Sequence, residues 1–169
     1  LMDVAAEYAN YKSDMTRTIP VNGKFTRRQL EVYNAVLNVK NEATNILRPG
    51  ISINEYHKEV GKIMESELIN IKLIDKVDVK NQDPKNPLFK NYFMHGTSHH
   101  LGLDVHDVGN FYTDLRPGNV FTVEPGIYIR EENIGVRLED NILIDDNDNI
   151  NLMNEIPILP DEIEDIMNR

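Results

Sequence analysis

Leu1-Met-Asp-Val-Ala-Ala-Glu-Tyr-Ala-Asn-Tyr-Lys-Ser-Asp-Met-Thr-Arg-Thr18 opens the chain with two strand-like runs, Leu1–Ala6 and Tyr11–Thr18, joined by the short stretch Glu7–Asn10. Runs of this length with so tight a connection predict an antiparallel hairpin. Asp3 sits inside an apolar run and Asp14 lies eleven residues later, so pairing would bring two carboxylates together on neighbouring strands. A buried ionised carboxylate is costly unless a cation pairs with it or a metal binds it. The apolar pattern is already running at Leu1–Met2. A chain rarely begins inside a buried strand, so the N-terminus reads as a cut with segments expected upstream.

Downstream of the hairpin, Pro20-Val-Asn-Gly23 is turn chemistry. Thr26-Arg-Arg-Gln29 has the form of a capping box. It is followed by apolar residues at Leu30, Tyr33, Val36, Leu37, Val39, Ala43, Ile46 and Leu47, one face of a long helix that Arg48-Pro49-Gly50 should stop. Ser52-Ile-Asn-Glu55 repeats the signal and opens a second helix whose stripe is Tyr56, Val60, Ile63, Met64 and Leu68. Asp75–Lys90 is polar, holds Pro84 and Pro87, and is expected to be a surface loop. Short strand-like runs follow at Tyr92–Met94, Asn119–Val123, Ile127–Arg130 and Val136–Ile144. Asp145–Asn149 lacks the glycine and closing glutamate of a calcium loop and reads as a turn, and Asp161-Glu-Ile-Glu starts a short helix. The expected class is α+β, with a mostly antiparallel curved sheet and flanking helices.

Composition narrows the function. The 169 residues are 40% hydrophobic, enough for one core, and carry a net charge of −10. That balance argues against nucleic acid or an anionic membrane as partner. No cysteine is present, so neither a disulfide framework nor a thiolate zinc site can form, and the chain suits the reducing cytoplasm. No apolar run approaches the length of a membrane span.

Two further acids interrupt apolar runs: Glu124 closes Val120-Phe-Thr-Val123, and Glu139 is embedded in Gly135-Val-Arg-Leu-Glu-Asp-Asn-Ile-Leu-Ile144. The stretch Phe93-Met-His-Gly-Thr-Ser-His-His-Leu-Gly-Leu-Asp-Val-His-Asp-Val-Gly109 holds four of the five histidines. Gly96, Thr97 and Ser98 disfavour a helix there, and no His-Glu-x-x-His occurs, which argues against a helical zinc pair. His57, on the second helix, reads as a surface or satisfied core residue. Taken singly, each acid is more simply a structural residue. Four carboxylates with one imidazole suit hard or borderline divalent ions. With an effective dielectric constant of about 20, two doubly charged ions about 3.5 Å apart repel by about 19 kcal/mol. Four carboxylates would offset that charge; neutral ligands could not.

Asp3, Asp14, His99, Glu124 in Thr122-Val-Glu-Pro-Gly126 and Glu139 in Val136-Arg-Leu-Glu-Asp140 resemble, in order and type, the five ligands of the pita-bread metallopeptidases. That family includes Xaa-Pro aminopeptidase, prolidase, methionine aminopeptidase and creatinase. The 93–109 stretch is most similar to the Xaa-Pro aminopeptidase branch. The resemblance implies two divalent ions, Mn²⁺ foremost with Co²⁺, Fe²⁺ and Zn²⁺ open, bridged by Asp14 and Glu139. Asp3 would complete one site, and His99 with Glu124 the other. It implies hydrolysis, by a hydroxide shared between the ions, of the bond between an N-terminal residue and a penultimate proline. Glu124 would also carry the proton, His95 and His106 would hold substrate and steady the tetrahedral intermediate, Tyr128 would line the substrate site, and Arg137 would fix acidic site residues. Residues 1–169 would then be the C-terminal, metal-binding part of a catalytic domain whose start, and a preceding N-terminal domain, are not in this chain; alone, it is expected to be weakly active or inactive. One departure is Val4-Ala5, where the family commonly has Ala-Gly. A dipeptidase of the prolidase kind and a non-catalytic binding module are the alternatives, and a homo-oligomer stays open.

Overall fold

The computed structural model describes residues 1–169. Its first element is the expected hairpin, broken into two ladders. β1 (Met2–Val4) pairs with β4 (Met15–Arg17), with Asp3 opposite Thr16. Nearer the tip, β2 (Glu7–Tyr8) pairs with β3 (Tyr11–Lys12) across Ala9 and Asn10, both at positive φ, as a tight two-residue hairpin loop requires. Between the ladders the Ser13 hydroxyl accepts a hydrogen bond from the Ala6 N–H at 3.0 Å. This break frees Asp14 from strand pairing and leaves it 7% exposed. β1 departs from expectation: Leu1, Met2 and Val4 are about half exposed, because β4 is the only element paired with this strand.

α1 (Arg27–Ile46) begins at Thr26 with both bonds of the capping box. It ends before Gly50, whose φ of 83° only glycine adopts freely. The buried stripe is Val32, Tyr33, Ala35, Val36, Val39 and Ala43, so Leu30, Leu37 and Ile46 lie at its margin and Lys40 lies within it. α2 (Ile53–Asn70) starts at Ser52, whose side chain accepts from the Glu55 N–H without the reciprocal bond of a full capping box. It buries Tyr56, Val60, Met64 and Leu68, while Ile63 is half-buried.

The stretch expected as loop contains α3 (Lys76–Asn81), capped by the Asp75 carboxylate on the Val77 N–H at 2.6 Å. Six residues are too few to show a periodic stripe, and the flanking prolines masked it. Tyr92–Met94 forms no strand: the Phe93 N–H bonds to the Phe89 carbonyl, extending a 3₁₀ turn over Leu88–Asn91. β5 (Val120–Val123) and β6 (Gly126–Ile129) match two expected runs. The fourth, Val136–Ile144, is two strands, β7 (Ile134–Arg137) and β8 (Asp140–Leu143). At the break the Leu138 N–H goes to the Pro125 carbonyl and the Glu139 N–H to the Thr16 carbonyl. Glu139 thus sits where the chain crosses from one strand pair to the next.

All strand pairs are antiparallel: β1 with β4, β2 with β3, β6 with β7, and β5–β8 extended by β9 (Ile150–Asn151). Asp145–Asn149 makes the expected turn into β9. The core lies between the strands and α1 with α2, where Phe121, Val123, Ile127, Ile142 and Ile144 meet Val36, Val39, Tyr56 and Val60. Each such side chain contributes about 1.5–3 kcal/mol on burial. α4 (Pro160–Met167) starts at the expected place and tucks Ile163 into the same core. No helix is long and apolar enough to cross a membrane.

Candidate metal centre

Breaks in regular structure converge on one cavity. Asp14 comes from the gap between β3 and β4, His99 from the loop before β5, Glu124 from the end of β5, Glu139 from the link between β7 and β8, and Asp3 from β1. Their ligand atoms, with that of His106, form three overlapping groups within which all atoms lie within 4.8 Å: Asp3, Asp14 and Glu139; His99, Glu124 and Glu139; Asp14, His99 and His106. All six line a cavity of about 480 Å³ with no hydrophobic residue in its wall. Asp3 and His106 are exposed, Asp3 with its side chain 53% open, yet the Asp3 carboxylate still faces the others.

The cavity is short of positive charge. No lysine or arginine nitrogen lies within 4.0 Å of the Asp14, Glu124 or Glu139 carboxylates. Burial, and then the repulsion of Glu139, pushes the Glu124 carboxyl up to about 8. Burial raises Glu139 to about 7, against the Thr16 hydrogen bond that lowers it. Asp14 is raised by burial and by Asp3. Oε1 of Glu139 is fully buried and has no hydrogen-bond partner. His99 makes the shortage plainer. Its Nδ1 lies 2.9 Å from the His100 carbonyl, which accepts only a proton-bearing nitrogen, so in the neutral ring Nε2 presents a lone pair. That nitrogen is 3.5 Å from Asp14 Oδ2 and 3.5 Å from Glu124 Oε1. A lone pair facing two carboxylates is repulsive without a cation among them. This oxygen-rich set with one or two imidazoles fits divalent ions.

The other residues singled out by sequence form the rim. His95 Nδ1 donates to the Gly96 carbonyl at 2.8 Å, leaving Nε2 to accept the Tyr128 hydroxyl at 2.7 Å. Burial lowers the His95 pKa, which favours the neutral ring. Arg137 donates to Asp3 Oδ2 at 2.6 Å and to the Thr16 hydroxyl at 3.0 Å, and approaches the Tyr128 hydroxyl at 3.5 Å. Burial works against its charge, but Tyr128, Asp3 and Glu139 outweigh it, and the guanidinium stays ionised. The His106 ring stands 4.3 Å from that of His99, close enough to supply a ligand. His57 lies outside the cavity, behind Gly96, with its Nε2 buried and unpartnered.

Sequence reasoning missed Thr16, Arg17 and Lys40. Asp14, Thr16 and Thr18 alternate along the expected run Tyr11–Thr18, and that period of two could have signalled a shared face. The Thr16 hydroxyl donates to Glu139 Oε2 at 2.7 Å.

The family description "Metallopeptidase family M24" matches residues 1–146, a span containing every residue of the cavity. The chain belongs to metallopeptidase family M24. Among curated M24 relatives, the Xaa-Pro aminopeptidase of Escherichia coli is 44% identical over 99% of this chain and 40% of its own length. That of Haemophilus influenzae is 41% identical over 99% of this chain and 41% of its own length. A solved structure described as Zn-substituted E. coli aminopeptidase P in complex with product superposes with a TM-score of 0.86 at 41% identity, covering 98% of this chain and 40% of that one. The chain therefore spans about 40% of the length of these M24 relatives, and its fold is their pita-bread fold.

Proposed function

We propose that the protein is a divalent-metal-dependent aminopeptidase that releases an N-terminal residue from peptides with proline second, and that this chain carries its metal centre. The observation behind the reading is the convergence of Asp3, Asp14, His99, Glu124 and Glu139 on one cavity where Arg137 pairs with Asp3 alone and no lysine or arginine pairs with the other three carboxylates. Asp14, His99 and Glu139 each belong to two of the three ligand groups, and of these only the carboxylates of Asp14 and Glu139 have two oxygens to offer, which supports both as ligands shared between ions. Asp3 would serve one ion, and His99 with Glu124 the other. Mn²⁺ suits such oxygen-rich ligands, as do Co²⁺, Fe²⁺ and Zn²⁺. When bound, such a pair supplies positive charge for a polarised carbonyl and acidifies water.

The chain's own groups do the rest. Glu124 takes a proton at its carboxylate and returns it to the departing proline nitrogen. His106 offers a ring nitrogen to the substrate carbonyl, where negative charge develops, and His95, whose Nδ1 is engaged by the Gly96 carbonyl and whose Nε2 accepts the Tyr128 hydroxyl, would donate there only in its protonated form. Arg137 holds Asp3. Since the relatives named above are longer than this chain, the activity is assigned to the whole protein, in the cytoplasm, and the 169 residues alone are expected to be weakly active or inactive.

The test pairs metal analysis with turnover. With Mn²⁺, a peptide of the Arg-Pro-Pro type should lose its first residue, one with alanine second should not, and Asp14→Ala should lose both metal and activity. Equal metal content in wild type and Asp14→Ala sinks the reading. Preference for an Xaa-Pro dipeptide over the tripeptide would make the protein a prolidase instead.

A further inference from the structure

Glu139 is 2% exposed, yet one of its oxygens has no partner. Its remaining polar atoms are all claimed by two consecutive residues of β4. The Glu139 N–H donates to the Thr16 carbonyl at 3.0 Å, and its own carbonyl accepts from Arg17 Nη1 at 2.7 Å. Oε2 accepts the Thr16 hydroxyl at 2.7 Å. A threonine hydroxyl has one proton to give, and arginine can only donate. Arg137 Nε, 3.0 Å away, therefore occupies the acceptor side of that hydroxyl and leaves its proton to Glu139. Through its other end Arg137 holds Asp3.

We propose that Thr16 is a positioning residue of the metal centre: by tying up Oε2 of Glu139 it presents Oε1 to a cation, and with Arg137 it fixes the relation between Asp3 and Glu139. This rests on the metal-centre reading above. Two residues along the chain, just past the end of β4, Thr18 provides the structural counterpart. It is also buried and also makes two hydrogen bonds, donating to the Arg137 carbonyl at 3.0 Å and accepting from the Arg137 N–H at 3.2 Å. Neither bond involves a carboxylate of the cavity.

The experiment titrates Co²⁺ alone into the wild-type protein, Thr16→Val, Thr16→Ser and Thr18→Val. Visible absorption reads the coordination and the affinity, and thermal melting before metal addition reads stability. Thr16→Val should weaken Co²⁺ binding by about ten- to a hundred-fold, the usual effect of losing a partner that orients a ligand. It should also change the absorption envelope. Thr16→Ser should restore both. Thr18→Val should melt earlier while keeping wild-type affinity and spectrum. Should Thr16→Val not fold, Thr16→Ala, which leaves room for a water, is read in the same way. Wild-type affinity in Thr16→Val, or an equal loss in Thr18→Val, overturns the proposal and leaves the metal centre standing. A wild-type protein that takes up no Co²⁺ overturns both together.

Discussion

Glu139 and Asp140 are adjacent in the chain and equally buried, yet they occupy opposite electrostatic regions. Successive side chains of an extended segment point to opposite sides, so Glu139 enters the acid cavity while Asp140 turns toward α1. There Asp140 meets Arg17 at 2.7 Å, Lys40, and Asn151 at 2.8 Å. Both of its oxygens are satisfied and two cations outweigh its one charge. Burial pushes the Asp140 carboxyl up, but Lys40 and Arg17 more than reverse it, and the net shift is downward. Glu139 shares its region with Asp14, Glu124 and Asp3, and its shift is upward. The chain sets two buried cations against the carboxylate of residue 140 and neither against that of residue 139, where Arg17 reaches only the backbone carbonyl. A fold that neutralises one acid internally and withholds cations from its neighbour leaves that neighbour to an external positive charge.

The largest effect should come from breaking the balanced region. Asp140→Asn leaves Arg17 and Lys40 buried without a counter-charge, and denaturant unfolding should show a loss of about 3–5 kcal/mol. A loss no larger than that of an ordinary surface substitution would remove Asp140 as a structural anchor. Next comes the pH dependence of the metal-free protein. Glu124 and Glu139 hold their protons in the folded state up to about 8 and about 7, against 4.5 for an unperturbed glutamate. Between these values the unfolded chain binds fewer protons than the folded one, so stability must fall as pH rises, by about a few kcal/mol between pH 5 and pH 8. Asp140 contributes with the opposite sign: its stabilisation is complete above its unfolded value of 3.8 and is lost as pH falls below it. Saturating Mn²⁺ binds the ionised forms and should abolish the loss toward pH 8. Melting temperatures that rise from pH 5 to pH 8 without metal would contradict the cavity's excess of negative charge.

Sequence reading reached the features whose causes are local. The hairpin, the Thr26 cap and the glycine stop at Gly50 each carry their signal within a few residues, whereas the five acid and histidine candidates, ordinary when taken singly, stand out only through their order along the chain and their resemblance to a known ligand set. What it missed is settled by partners far away in the chain. Val136–Ile144 is one apolar run by pattern, and it divides because Leu138 and Glu139 give their N–H groups to Pro125 and Thr16. Lys40 looks like a polar interruption of a helical stripe until Asp140, a hundred residues later, accounts for it. Thr16 is an ordinary strand residue by composition, and only Glu139 and Arg137 make it part of the site. Asp3 was expected inside a buried strand; β1 is open, and Arg137 rather than burial holds its carboxylate.

The smallest effect distinguishes the two regions most directly, because its sign reverses. Glu139→Gln removes one negative charge from the crowded cavity while keeping the shape of the side chain and an oxygen that can accept the Thr16 hydroxyl. In the metal-free protein at pH 8 this should raise stability by about 1 kcal/mol, since a carboxylate ionised against its neighbours no longer has to be buried. With Mn²⁺ present the order should invert, the wild-type protein gaining more from metal than the variant does. Asp140→Asn should be destabilising in both conditions. If Glu139→Gln were instead as destabilising without metal as Asp140→Asn, Glu139 would be an ordinary structural acid with an internal partner, and the contrast between adjacent residues 139 and 140 would collapse.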